Sequence, residues 1–204
     1  MKKIIVLLAL LITVFSIGNI YASHLSFKEI ECIGGKLLRD FTEEELKNHY
    51  RKVEKRMFSG WRTHKVSSFE INYVKEILFS YYNDSPTAIK YEYNYERTVS
   101  KKTSLSASGN IKFNTSGDIK KFKSGLNSEL KLSSSSEEDK SEKEKLNLKF
   151  DIDPGHMLNL YVIGHGHIEN GVASKYLFWI RRITGGYEIF NMSTEYTRLE
   201  KVPV

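Results

Sequence analysis

The sequence predicts a mainly β, α+β protein: an elongated antiparallel sheet or sandwich with a small helical N-terminal part. Three observations lead there. From Ile89 onward apolar and polar residues alternate with period two through run after run, the pattern of strands with one buried face. Turn signals punctuate the runs at Asn83-Asp84-Ser85-Pro86, Ser116-Gly117-Asp118, Asp153-Pro154-Gly155 and Thr184-Gly185-Gly186, as in antiparallel meanders. Helical spacing is clear in only one stretch, before residue 60.

The elements follow in order. Met1-Lys2-Lys3 precedes a nearly unbroken apolar run, Ile4–Ile20, the layout of a secretory signal peptide with cleavage at Ala22. That run is short of the roughly 20 apolar residues of a stable membrane span. Residues 1–22 are therefore expected to be a signal peptide and the protein to be secreted. Residues 23–86 are expected to form a small α/β part, and residues 87–204 an antiparallel β domain. Residues 42–57 read as one amphipathic helix, capped by Thr42 with Glu45 closing a capping box and ended by Gly60. Leu46, Tyr50, Val53 and Met57 lie on its apolar face.

Lys75–Tyr82 is rich in aromatic and β-branched residues and reads as a strand. Beyond the Asn83–Pro86 turn, Ile89, Tyr91, Tyr93 and Tyr95 alternate with Lys90, Glu92, Asn94 and Glu96. That aromatic face reads as packed against the core rather than as an open binding platform. From residue 98 to 132 the pattern describes a long hairpin. Its first strand carries Thr103, Leu105, Ala107, Gly109, Ile111 and Phe113 on one side and Ser104, Ser106, Ser108, Asn110 and Lys112 on the other. The return strand would place Phe122, Leu126, Leu130 and Leu132 opposite Lys123, Asn127, Glu129 and Lys131. Residues 133–145 are low-complexity and charged and read as an exposed loop. Alternation resumes at Leu146–Ile152 and again at Leu158–Val162. Ala173–Ile183 is apolar enough to be a strand buried on both faces, with Trp179 in the core. Thr184–Gly186 would then turn into a last strand, Tyr187–Leu199.

The formal net charge of +6 falls by two when Lys2 and Lys3 leave with the leader. The remaining excess is mild and interleaved with acidic residues. It suits a weak pull toward anionic surfaces and lacks the concentrated basic stripe of a nucleic-acid binder. Cys32 is the single cysteine, so stability must come from packing, and it reads as an apolar filler between Ile30 and Ile33. Gly164-His165-Gly166-His167 offers two histidines on one face, with His156 upstream. Two ligands in a glycine-rich turn fall short of the three or four a zinc site needs. No nucleophile elbow, phosphate-binding loop, dinucleotide fingerprint or metalloprotease helix occurs. The expectation is a protein that is not an enzyme and carries no metal or other cofactor.

A long amphipathic hairpin that is poor in bulky groups and rich in Ser, Thr and Lys resembles the insertion hairpin of aerolysin-like β-pore-forming toxins. Phe150–Leu158, with its Asp-Pro-Gly bend, resembles the strand junction that follows it. The resemblance implies that several copies donate hairpins to one closed barrel, since open strand edges are not tolerated in lipid. Thr103, Leu105, Ala107, Ile111 and Phe113 would then face lipid, and Ser104, Ser106, Ser108, Asn110 and Lys112 the lumen. The implied partners are a lipid membrane or cell-surface receptor and further copies of the chain, with no nucleic acid. The competing expectation is a non-catalytic secreted binding or cell-surface-associated β-sandwich whose long strands are a static scaffold.

Overall fold

The computed structural model describes residues 23–99, 103–107, 116–132 and 142–204; the expected leader lies outside them. The mainly β, antiparallel expectation holds, and three strands dominate. β2 (Ser59–Tyr82), β6 (His156–Leu177) and β7 (Ile180–Pro203) have 24, 22 and 24 residues, where strands of 3–10 are usual. At about 3.3 Å per residue each runs for roughly 70–80 Å. With β1 (Glu29–Ile33) and β4 (Thr103–Ala107) they make a five-stranded sheet ordered β1-β2-β6-β7-β4, every neighbour antiparallel. β3 (Ile89–Val99) and β5 (Glu142–Ile152) pair separately as a two-stranded ribbon.

Strands this long stay ordered because different partners cover successive stretches of one face. The even-numbered side of β6 is buried from Leu158 to Ser174. At the Leu158 end the β3–β5 ribbon covers it. There the Phe79 ring stands 4.8 Å from Tyr91 and 6.0 Å from Phe150. The tyrosine face of β3 is thus packed and half-buried, as its alternation predicts. In the middle, Leu37 joins Phe69, Ile71, Ile168 and Phe190 in the core, and Phe27 stacks on Tyr73 at 4.3 Å. Cys32 packs against the same cluster as a filler. At the far end helix α1 (Glu43–Lys52) seats Leu46 and Val53 against Val172.

Helix α1 has the predicted cap. Thr42 Oγ1 accepts the Glu45 N–H at 3.3 Å and the Glu45 carboxylate accepts the Thr42 N–H at 2.8 Å. The helix stops at Lys52 with Val53 as its C-cap, short of Met57. Gly60, at φ 122°, belongs to the start of β2 rather than to the helix end. The loop after β2 is built around Asn83, whose buried amide donates to Thr87 O and Ile152 O and accepts from Ser85 N–H.

Three expectations are corrected. The return strand of the 98–132 hairpin is a helix, α2 (Ser116–Glu129). Phe122, Leu126 and Leu130 are spaced by four, which lies on one face of a helix as readily as on one face of a strand. Gly164–His167 lies inside β6, not in a turn. A Cβ at Gly164, Gly166 or Gly171 would run into the rings of Tyr73, Phe190 and Tyr187 respectively, so the glycines make room for aromatics crossing from neighbouring strands. Finally, Thr184–Gly186 does not turn. Gly185 and Gly186 are buried within β7, paired with Ala173 and Val172. The β6–β7 turn falls instead at Phe178–Trp179, in the middle of the stretch expected to be core.

Candidate functional site

The segment that joins β3 to β5 holds every residue expected to face lipid or lumen. Of these, Thr103, Ser104, Leu105, Ser106 and Ala107 form β4. Ser108, Asn110, Ile111, Lys112 and Phe113 lie outside the described residues. β4 is an edge strand paired with β7 from Thr103↔Asn191 to Ala107↔Tyr187. Leu105 points into a core cluster with Phe122, Leu126, Ala173, Tyr187 and Ile189. On the other side of the strand Ser106 is buried, and Ser104 is drawn to His24. In this conformation both faces of β4 are therefore occupied by protein.

α2 lies on the face of the sheet opposite α1. It is a poor helix by composition: Ser116, Gly117, Ser124, Gly125 and Ser128 all lower helix propensity. Phe122 and Leu126, both wholly buried, hold it in place. Gly125 sits against Trp61, so a Cβ there would come to 2.8 Å from the indole, and the Trp61 and Phe122 rings meet edge to face at 5.5 Å. A short helix of such residues is marginal in water by itself, so docking keeps it folded. Burial holds the Lys123 amine below its ordinary pKa and pushes the Tyr187 phenol beneath α2 up to about 12.

A buried polar chain pins this region to the N-terminal turn. His24 Nε2 lies 2.7 Å from Glu188 Oε1, its Nδ1 lies 3.3 Å from Ser104 Oγ, and the Leu38 N–H donates to Glu188 Oε2 at 2.7 Å. His24 and Glu188 are essentially inaccessible to solvent. The order hydroxyl–imidazole–carboxylate has the form of a nucleophile relay. Here, however, the imidazole has no open face and the carboxylate is committed to a backbone N–H, so the chain serves as a latch. Nothing in the spacing of His24, Ser104 and Glu188 announces this contact from sequence, since the partners are 80 and 164 residues apart.

The histidines of Gly164–His167 are on the outer face of β6. His165 Nδ1 is 2.6 Å from Asn72 Oδ1 and His167 Nε2 is 2.8 Å from Ser68 Oγ. Among the described residues no three His, Cys, Asp or Glu side chains converge on a metal-sized site, and no helix is long and apolar enough to cross a membrane.

The ribbon beneath the segment has the most telling geometry. β3 and β5 pair without a bulge from Ile89↔Ile152 to Val99↔Glu142. They are thus the two legs of one hairpin, and the segment carrying β4 and α2 is its connection. One face of the legs carries Tyr91, Tyr93 and Tyr95 opposite Phe150, Leu148 and Leu146; the other carries Lys90, Glu92 and Glu96 opposite Asp151, Lys149 and Lys145. No protein-family model matches the chain, and no curated protein matches it either.

Proposed function

We propose that this is a secreted, non-enzymatic, membrane-directed protein. Its segment between Val99 and Glu142 leaves the sheet, lengthens the β3–β5 ribbon into an amphipathic hairpin and, in a homo-oligomer, closes with its copies into a barrel. The observation that carries the reading is the β3–β5 register. Extending it one residue at a time beyond Val99↔Glu142 sets Leu105 opposite Ser136, Gly109 opposite Leu132 and Ile119 opposite Phe122. Lys120 and Lys121 fall at the turn. The face made by odd positions 105–119 and even positions 122–136 then contains no charged residue. The face made by even positions 106–120 and odd positions 121–135 contains no apolar side chain.

A transmembrane barrel strand requires that separation, with apolar side chains toward lipid and polar ones toward water. Residues 109–119 alone meet the length of about 9–11 residues that a tilted strand needs. Closure is obligatory because a lone hairpin would leave open backbone groups in hydrocarbon. The charged residues between the two apolar stretches, Arg97 opposite Glu144 and Glu142 opposite Val99, would stay in water outside the bilayer, and the two lysines at the turn would emerge on its far side. The packing of Leu105 on the buried Phe122 and Leu126 favours the second reading, a static binding scaffold, if the segment never leaves.

Release of dye from lipid vesicles tests the proposal. Thr103 Oγ1 and Asn191 Oδ1 are 2.8 Å apart on the exposed edge, so Thr103→Cys/Asn191→Cys in a Cys32→Ser background should lock β4 to β7. The reduced protein is expected to release dye and form detergent-resistant oligomers, and the oxidised protein to do neither. Equal release from locked and unlocked protein would reject the refolding step. Release from neither, on vesicles of any composition, would leave the scaffold.

A further inference from the structure

We infer that the β6–β7 hairpin tip is the surface by which the protein docks on an anionic lipid bilayer. The inference deepens the membrane-directed reading above but does not need the pore. Leu177 pairs with Ile180, so Phe178 and Trp179 are the two residues of a tight hairpin turn. Their φ values are +51° and +61°. A two-residue turn with both φ positive is the province of Asn-Gly and Gly-Gly, and a bulky side chain there is strained. This turn instead displays two aromatic rings, 61% and 57% exposed, flanked by Leu177 and Ile180, 41% and 58% exposed.

Phe58 extends the patch. It is 53% exposed, meets Phe178 and Trp179 edge to face at 5.4 and 4.8 Å, and its carbonyl accepts the Trp179 N–H. The rings are therefore fixed relative to one another. Below them the buried Tyr176 donates its hydroxyl to Val53 O at 2.7 Å, which anchors the hairpin's base to the end of α1. A strained turn on a rigid base, presenting apolar groups to water, points to a partner that buries them.

Charge selects the partner. Within residues 54–58 and 177–182 the cations Lys55, Arg56, Arg181 and Arg182 are all exposed, and the same stretches hold a single carboxylate, Glu54, which lies 3.4 Å from Arg181. Between them is a cleft of about 470 Å³ lined by Glu54, Arg56, Tyr176, Trp179, Ile180 and Arg181. Trp and Phe above a collar of arginines is the arrangement that settles at a bilayer interface, rings among the upper acyl chains and guanidinium groups on the lipid phosphates. The cleft is placed to receive one such head group.

Co-sedimentation with phosphatidylcholine vesicles, with and without added phosphatidylglycerol, tests the inference. The wild type is expected to bind the phosphatidylglycerol vesicles, less so as salt is raised. Phe178→Asn/Trp179→Gly installs the favoured turn residues, so its unfolding midpoint should be equal or higher while binding weakens about tenfold or more. Arg181→Gln should weaken binding about fivefold, as befits one interfacial cation. Unchanged binding by Phe178→Asn/Trp179→Gly, or no binding by the wild type, would overturn the inference. So would a tip-dependent self-association without lipid. The two proposals fail separately. Dye release that survives Phe178→Asn/Trp179→Gly would remove the tip and keep the pore. Tip-dependent binding without release from any unlocked protein would remove the pore and keep the tip.

Discussion

β6 is hydrogen-bonded on both sides along its length, to β2 from Met157 to Leu177 and to β7 from His156 to Leu177. Among the described residues β4 is bonded on one side only, to β7, over Thr103–Ala107. The centre of the sheet also buries one face of β6 without interruption from Leu158 to Ser174. The β4–α2 segment relies on Leu105, Phe122, Leu126 and the half-buried Leu130 and Leu132. The difference teaches that the segment can be removed without breaking any rung between β2, β6 and β7. Its exit would uncover the far side of Ala173, Tyr187 and Ile189 and open the His24–Ser104 contact. The long sheet would remain as the platform on which a lengthened β3–β5 ribbon is carried.

Substitutions in the two regions should separate them. Phe190 is in the central core and 1% exposed, and Phe190→Ala should cost about 3–5 kcal/mol in urea unfolding, as for other buried Phe truncations. Gly166→Ala should come next. Its methyl would collide with the Phe190 ring, an overpacking of about 1–3 kcal/mol. Phe122 is as fully buried as Phe190, yet Phe122→Ala should lower the global midpoint less than Phe190→Ala. Its loss is limited to the free energy of undocking α2 and should be read chiefly as faster amide exchange at residues 116–129, with β6 and β7 still protected. Equal global losses for the two phenylalanines would show that the segment and the sheet unfold as one.

The smallest effect belongs to the cap of α1. Hydrogen bonds from Lys36 and Thr42 hold the Glu45 carboxyl down to about 2 from its ordinary 4.5. A group whose folded-state pKa is depressed adds stability that is complete above the unfolded value and lost as pH falls through the folded one. The thermal midpoint of the wild type should exceed that of Glu45→Gln near neutral pH, and the two should converge between about pH 4.5 and pH 2. Parallel curves over that range would mean that the exposed carboxylate contributes nothing in solution.

Parts of the molecule were legible because local chemistry and tertiary structure agree. Thr42 and Glu45 announce the start of α1, Asp153-Pro154-Gly155 announces the bend before β6, and the tyrosines at 91, 93 and 95 announce a packed strand face. The misread parts are those where a pattern serves two geometries. Phe122, Leu126 and Leu130 fit a strand or a helix, and burial against Trp61 and Ala173 decides for the helix in this conformation. The Thr184–Gly186 triplet has turn chemistry, but both glycines are buried in β7, paired with Ala173 and Val172. The true turn uses Phe178 and Trp179, which no turn rule selects. That departure from local preference is the ground on which the tip is proposed as a docking surface.

The central claim is that the β3–β5 register continues past Val99↔Glu142 when the protein acts on a membrane. Leu105→Cys/Ser136→Cys in a Cys32→Ser background tests it most directly, because Leu105 now packs on the α2 cluster and the continued register sets it opposite position 136. The account predicts that oxidation gives an intrachain cross-link in vesicle-bound oligomers. Oligomers that release dye while those two cysteines remain unlinked would contradict it.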